Sequence, residues 1–240
     1  MPTMMFYEKA VPLDRARHRD LRIKPLPNQH FAAQTAAIPV VVGEFVDVSR
    51  EYPIVFARDT RGGISCVTLT GVRQDRNLYL DADDHWDARY VPAFIRRYPF
   101  IFGENGTDRL ILCIDEACPA FGSEGEPLFD DQGEPSTALQ NVLKLLNEYQ
   151  RQIAMTAAFL AKLRDADLLR ERQMRASMPD GRSAAIDGFL VVDEERLRTL
   201  PEAQLKQWFE GGELALIYAH LFSLGNFVEL ARRQPLPAKD

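Results

Sequence analysis

The 240-residue chain has few of the residues that build metal and redox sites. It contains four histidines and three cysteines, Cys66, Cys113 and Cys118. Three cysteines cannot all pair with one another, and the five-residue spacing of the last two matches neither a thioredoxin-type pair nor a zinc-binding pair. The sequence therefore predicts free thiols in a reducing compartment and no metal site.

An excess of basic charge and long apolar runs are also absent. The chain has 29 basic and 35 acidic side chains, for a net charge of -6. This balance argues against nucleic-acid binding, which needs a basic footprint. No stretch reaches the roughly 18–20 apolar residues that span a bilayer, and Glu8 and Lys9 lie where a signal peptide needs its apolar core. We therefore expect a cytoplasmic protein with no membrane span and no nucleic-acid partner.

Motifs of the common cofactor and catalytic sites are missing as well. No Gly-rich loop leads into Lys-Ser/Thr, and no dinucleotide fingerprint follows a strand. The segment 122–125 lacks the strand–turn–helix setting of a nucleophile elbow, and no histidine has another histidine four residues further on. We expect no cofactor and assign no catalytic residue; whether the protein is an enzyme stays open, with a non-catalytic role favoured.

Charge and turn residues divide the chain into three stretches. Residues 1–30 carry net +3 and four prolines, which leaves net -9 for the rest and is typical of an extended basic arm. Residues 31–135 are predicted to be mainly β and residues 136–240 mainly α, packed together as one domain. We predict that residues 12–30 dock through apolar anchors, with Leu21 and Ile23 mostly buried; the alternative is a loosely ordered terminus.

The residue pattern predicts an α+β fold, with an antiparallel sheet built from hairpins in the first half and a helix-rich second half. Ile54–Ala57 and residues 64–69 form a hairpin closed by a turn at 59–63. A long helix begins with a capping box at Thr137 and Gln140. Other predicted elements are helices near 45–48, 90–97, 193–200, 201–209 and 213–232, strands at 77–80 and 109–115, and an end of the long helix near residue 169.

Residues 170–178 allow two interpretations. A turn at 178–181 favours a second hairpin, 171–178 with 183–192, whereas the alternative extends the long helix through Arg175.

The densest run of aromatic and arginine side chains lies between residues 86 and 100. Both residue types are enriched where protein surfaces recognise partners. In the alternative interpretation the rings are core and the arginines pair with acidic loops. The candidate binding residues are Trp86, Arg89, Tyr90, Arg96, Arg97 and Tyr98, together with His220 and Asn226 from the run 217–226.

Two further clusters bear on catalysis. Asp81–Asp87 offers four carboxylates and an imidazole, but it lacks the turn glycine and distal glutamate of a calcium loop, so a solvated turn is favoured. His220 and Ser223 are three residues apart on one helix face. A catalytic pair would also need an orienting acid and an oxyanion site, and neither is visible, so a hydrogen-bonded, partly buried histidine is favoured.

Several segments resemble, in order, the bacterial SapC family, and the likeness covers roughly residues 10–232. The block from Trp86 to Phe100 is the most specific, and the family favours a glycine before Trp86 where this chain has His85. The matching segments are 52–56, 77–80, 86–93, 96–100, 128–130, 188–194 and 218–224.

The resemblance implies a family name more than a chemistry. The name derives from gene clusters for bacterial surface-layer proteins, and members also lie beside outer-membrane receptors and flavin-dependent halogenase-like proteins; no catalytic residue carries over. We expect a non-catalytic binding or accessory protein that recognises a peptide or protein partner. The alternatives are an enzyme that uses His220 or Asp81–Asp87, and a structural surface-layer component. The sequence does not indicate an oligomeric state.

Overall fold

The computed structural model describes residues 5–59, 62–73, 75–104 and 110–236. It confirms the α+β class, with antiparallel sheets and helices. The strands are β1 (Ala10–Pro12), β2 (Arg22–Ile23), β3 (Ala37–Pro39), β4 (Ile54–Arg58), β5 (Ile64–Leu69), β6 (Phe100–Glu104), β7 (Leu110–Asp115), β8 (Phe121–Gly122), β9 (Glu126–Pro127), β10 (Leu169–Ser177) and β11 (Ser183–Val192). The α-helices are α1 (Phe45–Val48), α2 (Ala93–Arg96), α3 (Thr137–Asp165), α4 (Glu194–Arg198), α5 (Glu202–Gly211), α6 (Glu213–Ser223) and α7 (Phe227–Arg233), and 3₁₀ turns lie at His30–Ala32, Val42–Glu44 and Leu224–Asn226.

The chain forms two compact units, each built from segments far apart in sequence. Unit 1 comprises Met1–Ala32 and Ala93–Arg151, and unit 2 comprises Ala33–Pro92 and Gln152–Asp240. The stretch 31–135 and the stretch 136–240 therefore both contribute residues to each unit.

Unit 1 contains two three-stranded sheets, and the basic arm supplies a strand to each. Strand β1 pairs with β7, and β2 lies between β8 and β9. Leu21 and Ile23 are half-buried against the core, less than the sequence predicts, while Arg22 between them is exposed. The arm is docked within this unit. The core of unit 1 contains Phe100, Ile114, Leu128, Phe129, Leu139 and Leu146.

Two acidic side chains at the end of β7 hold the start of the arm. The fully buried Asp115 accepts the backbone N–H of Glu8 and of Lys9, at 3.0 and 2.8 Å. Glu116 pairs with the side chains of Lys9, Arg17 and His18, and hydrogen bonds from Lys9 and His18 lower its pKa to about 2. A buried carboxylate is stable only when donors surround it, so the arm completes this part of the fold.

Unit 2 is built on a five-stranded sheet in the order β10-β11-β4-β5-β3. Strands β4 and β5 form the predicted hairpin. Residues 60–61 of its predicted turn lie outside the described residues, as does residue 109 of the predicted strand 109–115. Strands β10 and β11 form the second hairpin, so residues 170–177 are strand and the helical alternative is wrong. Its register shifts where Gly188 adopts a φ of 73°.

The ends of α3 differ from the prediction. The capping side chain is Ser136, one residue before Thr137: its Oγ accepts the backbone N–H of Leu139 at 3.2 Å. The helix ends at Asp165, short of residue 169, because Asp167 takes a φ of 53° and the chain turns into β10.

Two other predicted elements are also shorter. Residues 77–80 contribute only an isolated bridge between Leu80 and Trp86 instead of a strand. The predicted last helix is interrupted by the 3₁₀ turn Leu224–Asn226, at the glycine that weakens it.

Candidate functional site

His220 replaces a backbone-to-backbone pairing between β11 and β4 in the sheet of unit 2. Leu190 of β11 pairs with Phe56 of β4, so the same register would bring Val192 opposite Ile54. Instead, the backbone N–H of Val192 donates to Nε2 of His220 at 3.1 Å, and Nδ1 donates to the carbonyl of Ile54 at 2.8 Å. The imidazole thus bridges the two strands with one acceptor and one donor.

Ser223 completes this link between α6 and the sheet. Its Oγ accepts the backbone N–H of Ile54 at 2.9 Å and donates to the carbonyl of His220 at 2.5 Å. His220 is fully buried, and burial lowers its pKa to about 4. The ring is neutral near pH 7, and both of its nitrogens are bonded to backbone, so the geometry assigns it a structural task.

The Asp81–Asp87 loop is a hydrogen-bonded turn. Oδ1 of Asp81 accepts the backbone N–H of His85 and of Asp83, at 2.8 and 2.9 Å, and these bonds lower the pKa of Asp81. Most of the loop is exposed. Within the described ranges, no group of three or more His, Cys, Asp or Glu side chains is placed to hold a metal ion.

In unit 2, the polar atoms of Trp86 and Tyr90 bond to other protein groups. Nε1 of Trp86 donates to Oη of Tyr52 at 2.8 Å, and Oη of Tyr90 donates to Oε1 of the buried Glu44 at 2.7 Å. Arg89 is exposed. Their role in binding stays a prediction.

The candidate residues in unit 1 differ sharply from one another. Tyr98 is buried and donates its hydroxyl to Asp115 at 3.1 Å, and burial raises its pKa. Arg96 is exposed. The guanidinium of Arg97 lies 3.9 Å from the ring centre of Phe94, and its Nε is buried without a hydrogen-bond partner.

Asn226 lines a cleft of about 470 Å³ in unit 2. Its Nδ2 donates to the carbonyls of Ser49 and Tyr52, at 2.7 and 3.2 Å, which holds the 3₁₀ turn against the end of α1. Arg233 stacks over the ring of Tyr79 at 4.3 Å. The lining residues are Arg50, Glu51, Tyr79, Gly225, Asn226, Val228, Glu229, Arg232 and Arg233.

Three arginines and two glutamates line this cleft, an excess of one positive charge on an acidic chain, and Arg233 also pairs with Asp87 at 2.8 Å. The side chains of Arg50 and Arg232 are largely exposed, and they pair with Asp47 at 3.0 Å and Glu229 at 3.5 Å. Exposed pairs of this kind are weak, so a carboxylate from a ligand can exchange with them.

The outward face of α6 presents aromatic rings to solvent. Phe222 is 77% exposed and Tyr218 is 47% exposed, and their rings stack with centres 6.1 Å apart. Phe209 of α5 is 76% exposed. The run from Leu214 to Val228 has no Asp, Glu, Lys or Arg, so neither the inward nor the outward face of this part of α6 is charged. The absence of charge around the helix is the sequence signal that indicates exposed rings. A search for a single apolar face that packs inward misses them.

A second cleft in unit 2, of about 490 Å³, borders the same helix. Leu221 and Leu224 line it together with Met174 of β10. Neither His220 nor the Asp81–Asp87 loop lines either cleft.

Among the residues that the structure describes, one helical stretch, Glu213–Arg233, is long and apolar enough to cross a membrane when judged by length and composition. A third of its most apolar window is buried inside the protein, and core helices of soluble proteins meet the same criterion.

Comparison with known proteins gives one result. A family model described as SapC matches residues 13–230, which include Arg97 and, apart from Arg232 and Arg233, the lining of both clefts. The chain belongs to the SapC family. Searches of curated proteins and of solved structures each found no match. SapC membership thus agrees with the sequence resemblance, and the chemistry of this SapC protein has to be argued from its own residues.

Proposed function

We propose that this SapC-family protein is a non-catalytic binding or accessory protein that recognises a peptide segment of a protein partner. The observation that carries the proposal is the stacked pair Tyr218 and Phe222, exposed on a helix face with no charge. Contiguous exposed apolar surface marks interaction sites, and aromatic side chains supply most of the binding energy at such sites.

The second expected feature of the bound peptide segment is an acidic side chain. The apolar face of α6 continues through Gly225 and Val228, which line the cleft that holds Arg50 and Arg232. An acidic side chain on the bound segment would pair with these guanidinium groups. We therefore expect a segment that carries apolar side chains beside an aspartate or glutamate.

The reactive groups of the chain support a binding role over catalysis. Both nitrogens of His220 are bonded to backbone. The carboxylate of Asp81 is engaged in its own turn. Catalysis that uses His220 or the Asp81–Asp87 loop and a structural surface-layer role stay as alternatives, and a cytoplasmic location is part of the proposal.

Selection from a random 12-residue peptide display library tests this function. We expect enrichment of peptides that combine aromatic or aliphatic residues with Asp or Glu. Measured by fluorescence anisotropy, a selected peptide should lose about tenfold or more in affinity on Phe222→Ser and on Arg232→Glu. Leu110→Ser, which changes an exposed leucine of unit 1, should leave the affinity unchanged. Equal losses in all three variants, or no enrichment, would contradict the proposal.

Sedimentation with vesicles containing about a third anionic lipid tests whether the exposed rings bind a lipid membrane instead of a peptide. An exposed aromatic face beside arginines also resembles interfacial helices that lie on membranes. We expect no co-sedimentation. Vesicle binding that disappears in Phe222→Ser would replace the protein partner with a lipid surface.

A further inference from the structure

Arg97 of unit 1 lies beside two buried aromatic rings just after α2. Its Cζ atom is 3.9 Å from the ring centre of Phe94 and 5.2 Å from that of Tyr149, and both rings are only 6% exposed. Its backbone N–H donates to the carbonyl of Ala93 at 3.0 Å, which fixes the start of the side chain at the helix end. The rings therefore fix the plane in which the guanidinium can bind.

The charge of this guanidinium is not compensated by an acid within the part of the chain that the structure describes. No carboxylate lies within ion-pair distance of it, and none of its nitrogens has a hydrogen-bond partner there. Asp115, the buried acid of the same unit, already accepts four hydrogen bonds.

The rings leave the donors of Arg97 unused, because ring faces attract the cation without accepting its N–H groups. The Nε atom is buried, whereas the terminal nitrogens are not among the buried unpartnered atoms. The terminal nitrogens Nη1 and Nη2 therefore have some solvent-accessible surface on a side chain of intermediate burial. Two parallel N–H donors in a fixed plane match the two oxygens of a carboxylate.

We propose that Arg97 is a carboxylate-binding site, in which Nη1 and Nη2 hold an acidic group bidentately while Phe94 and Tyr149 fix the guanidinium plane. The ligand class is a small carboxylic acid or the carboxylate of a peptide. This site lies within unit 1, whereas α6 belongs to unit 2, and the proposal does not depend on the function proposed for α6.

Thermal unfolding in different salts of equal ionic strength at pH 7 tests the site. Acetate and glutarate should raise Tm above the value in chloride by about 2 °C or more, since a ligand that binds only the folded state stabilises it. Arg97→Met should abolish most of this difference. Arg96→Met, at the exposed neighbouring arginine, should retain it and so corrects for general salt effects.

Other results would overturn the assignment. A Tm that falls equally in all salts on Arg97→Met would give Arg97 a purely structural role. Stabilisation by phosphate but not by carboxylates would reject the carboxylate class. If Arg97→Met does not fold, the Nε–H resonance of Arg97 in the intact protein decides: it should shift saturably with acetate, and no shift would reject the site.

Discussion

A neutral imidazole has one donor and one acceptor, so it can replace a peptide group in a β-ladder. His220 does this between Val192 and Ile54, where β11 and β4 separate after a single paired rung. The sequence singled out His220 and Ser223 by their spacing. Their partners were not predictable, because Ile54 is 166 residues away along the chain and local pattern carries no information about it.

The depressed pKa of His220 predicts that stability falls in mild acid. The unfolded chain takes up a proton near pH 6.5, whereas the folded protein does so only near pH 4, so the unfolded state binds more protons between these values. Stability is fully present above about pH 6.5 and should decrease by about 3 kcal/mol as the pH falls to 4. Urea unfolding at pH 7, 5.5 and 4 measures this decrease.

Substitution by glutamine separates the proton from the hydrogen bonds. The glutamine amide can also donate and accept, so His220→Gln should reduce the decrease between pH 6.5 and 4. His220→Ala removes both bonds and should cost about 3–5 kcal/mol at pH 7. The same pH slope in His220→Gln as in the natural protein would assign the acid sensitivity to other groups.

At the scale of secondary-structure elements, turn residues predicted the strand pairings better than hydrophobic periodicity predicted the ends of helices. The hairpins β4–β5 and β10–β11 follow from glycines and a proline between apolar runs. The exact end of α3 did not, because it coincides with a positive φ at Asp167, and an aspartate adopts that conformation in only a minority of cases. The register shift near Gly188 was also missed, since a lone glycine in a strand has several possible causes.

Gly188 and Gly122 form a matched pair for testing that irregularity. A Cβ added at either position meets no atom within 4 Å, but only Gly188 has a positive φ. Gly188→Ala should destabilise by about 1 kcal/mol from backbone strain. Gly122→Ala should be neutral or stabilising by up to about 1 kcal/mol, because alanine restricts the unfolded chain. Equal effects in urea unfolding would show that the positive φ is not required.

At the scale of the molecule, composition predicted contacts but not the candidate sites. The charge difference between arm and body is visible in the sequence, and the arm does dock within unit 1. The different environments of the exposed Arg96 and of Arg97 were not visible, because they depend on which side chain meets Phe94. The exposed rings of Tyr218 and Phe222 were missed for a similar reason: an apolar residue on a helix can lie on either face.

The docked arm allows charge and burial to be compared on one strand. Residues 21–24 alternate, with Leu21 and Ile23 half-buried against the core and Arg22 and Lys24 exposed. Full burial of such an apolar side chain is worth roughly 1.5–3 kcal/mol, so the half-buried pair should contribute about 2–3 kcal/mol together. Exposed charged side chains contribute within about 0.5 kcal/mol each, and the bond that Arg22 donates to the carbonyl of Gly125 at 2.9 Å lies at the exposed surface.

We therefore expect the double variant Leu21→Ser, Ile23→Ser to lose about 2–3 kcal/mol in urea unfolding. The matched double variant Arg22→Ser, Lys24→Ser should stay within about 1 kcal/mol of the natural protein. Deletion of residues 1–30 should lower Tm further than either, because it also removes β1, β2 and the backbone donors that Asp115 requires. If the charged pair proved the costlier, electrostatic attraction would hold the arm, and high salt would then lower Tm of the intact protein.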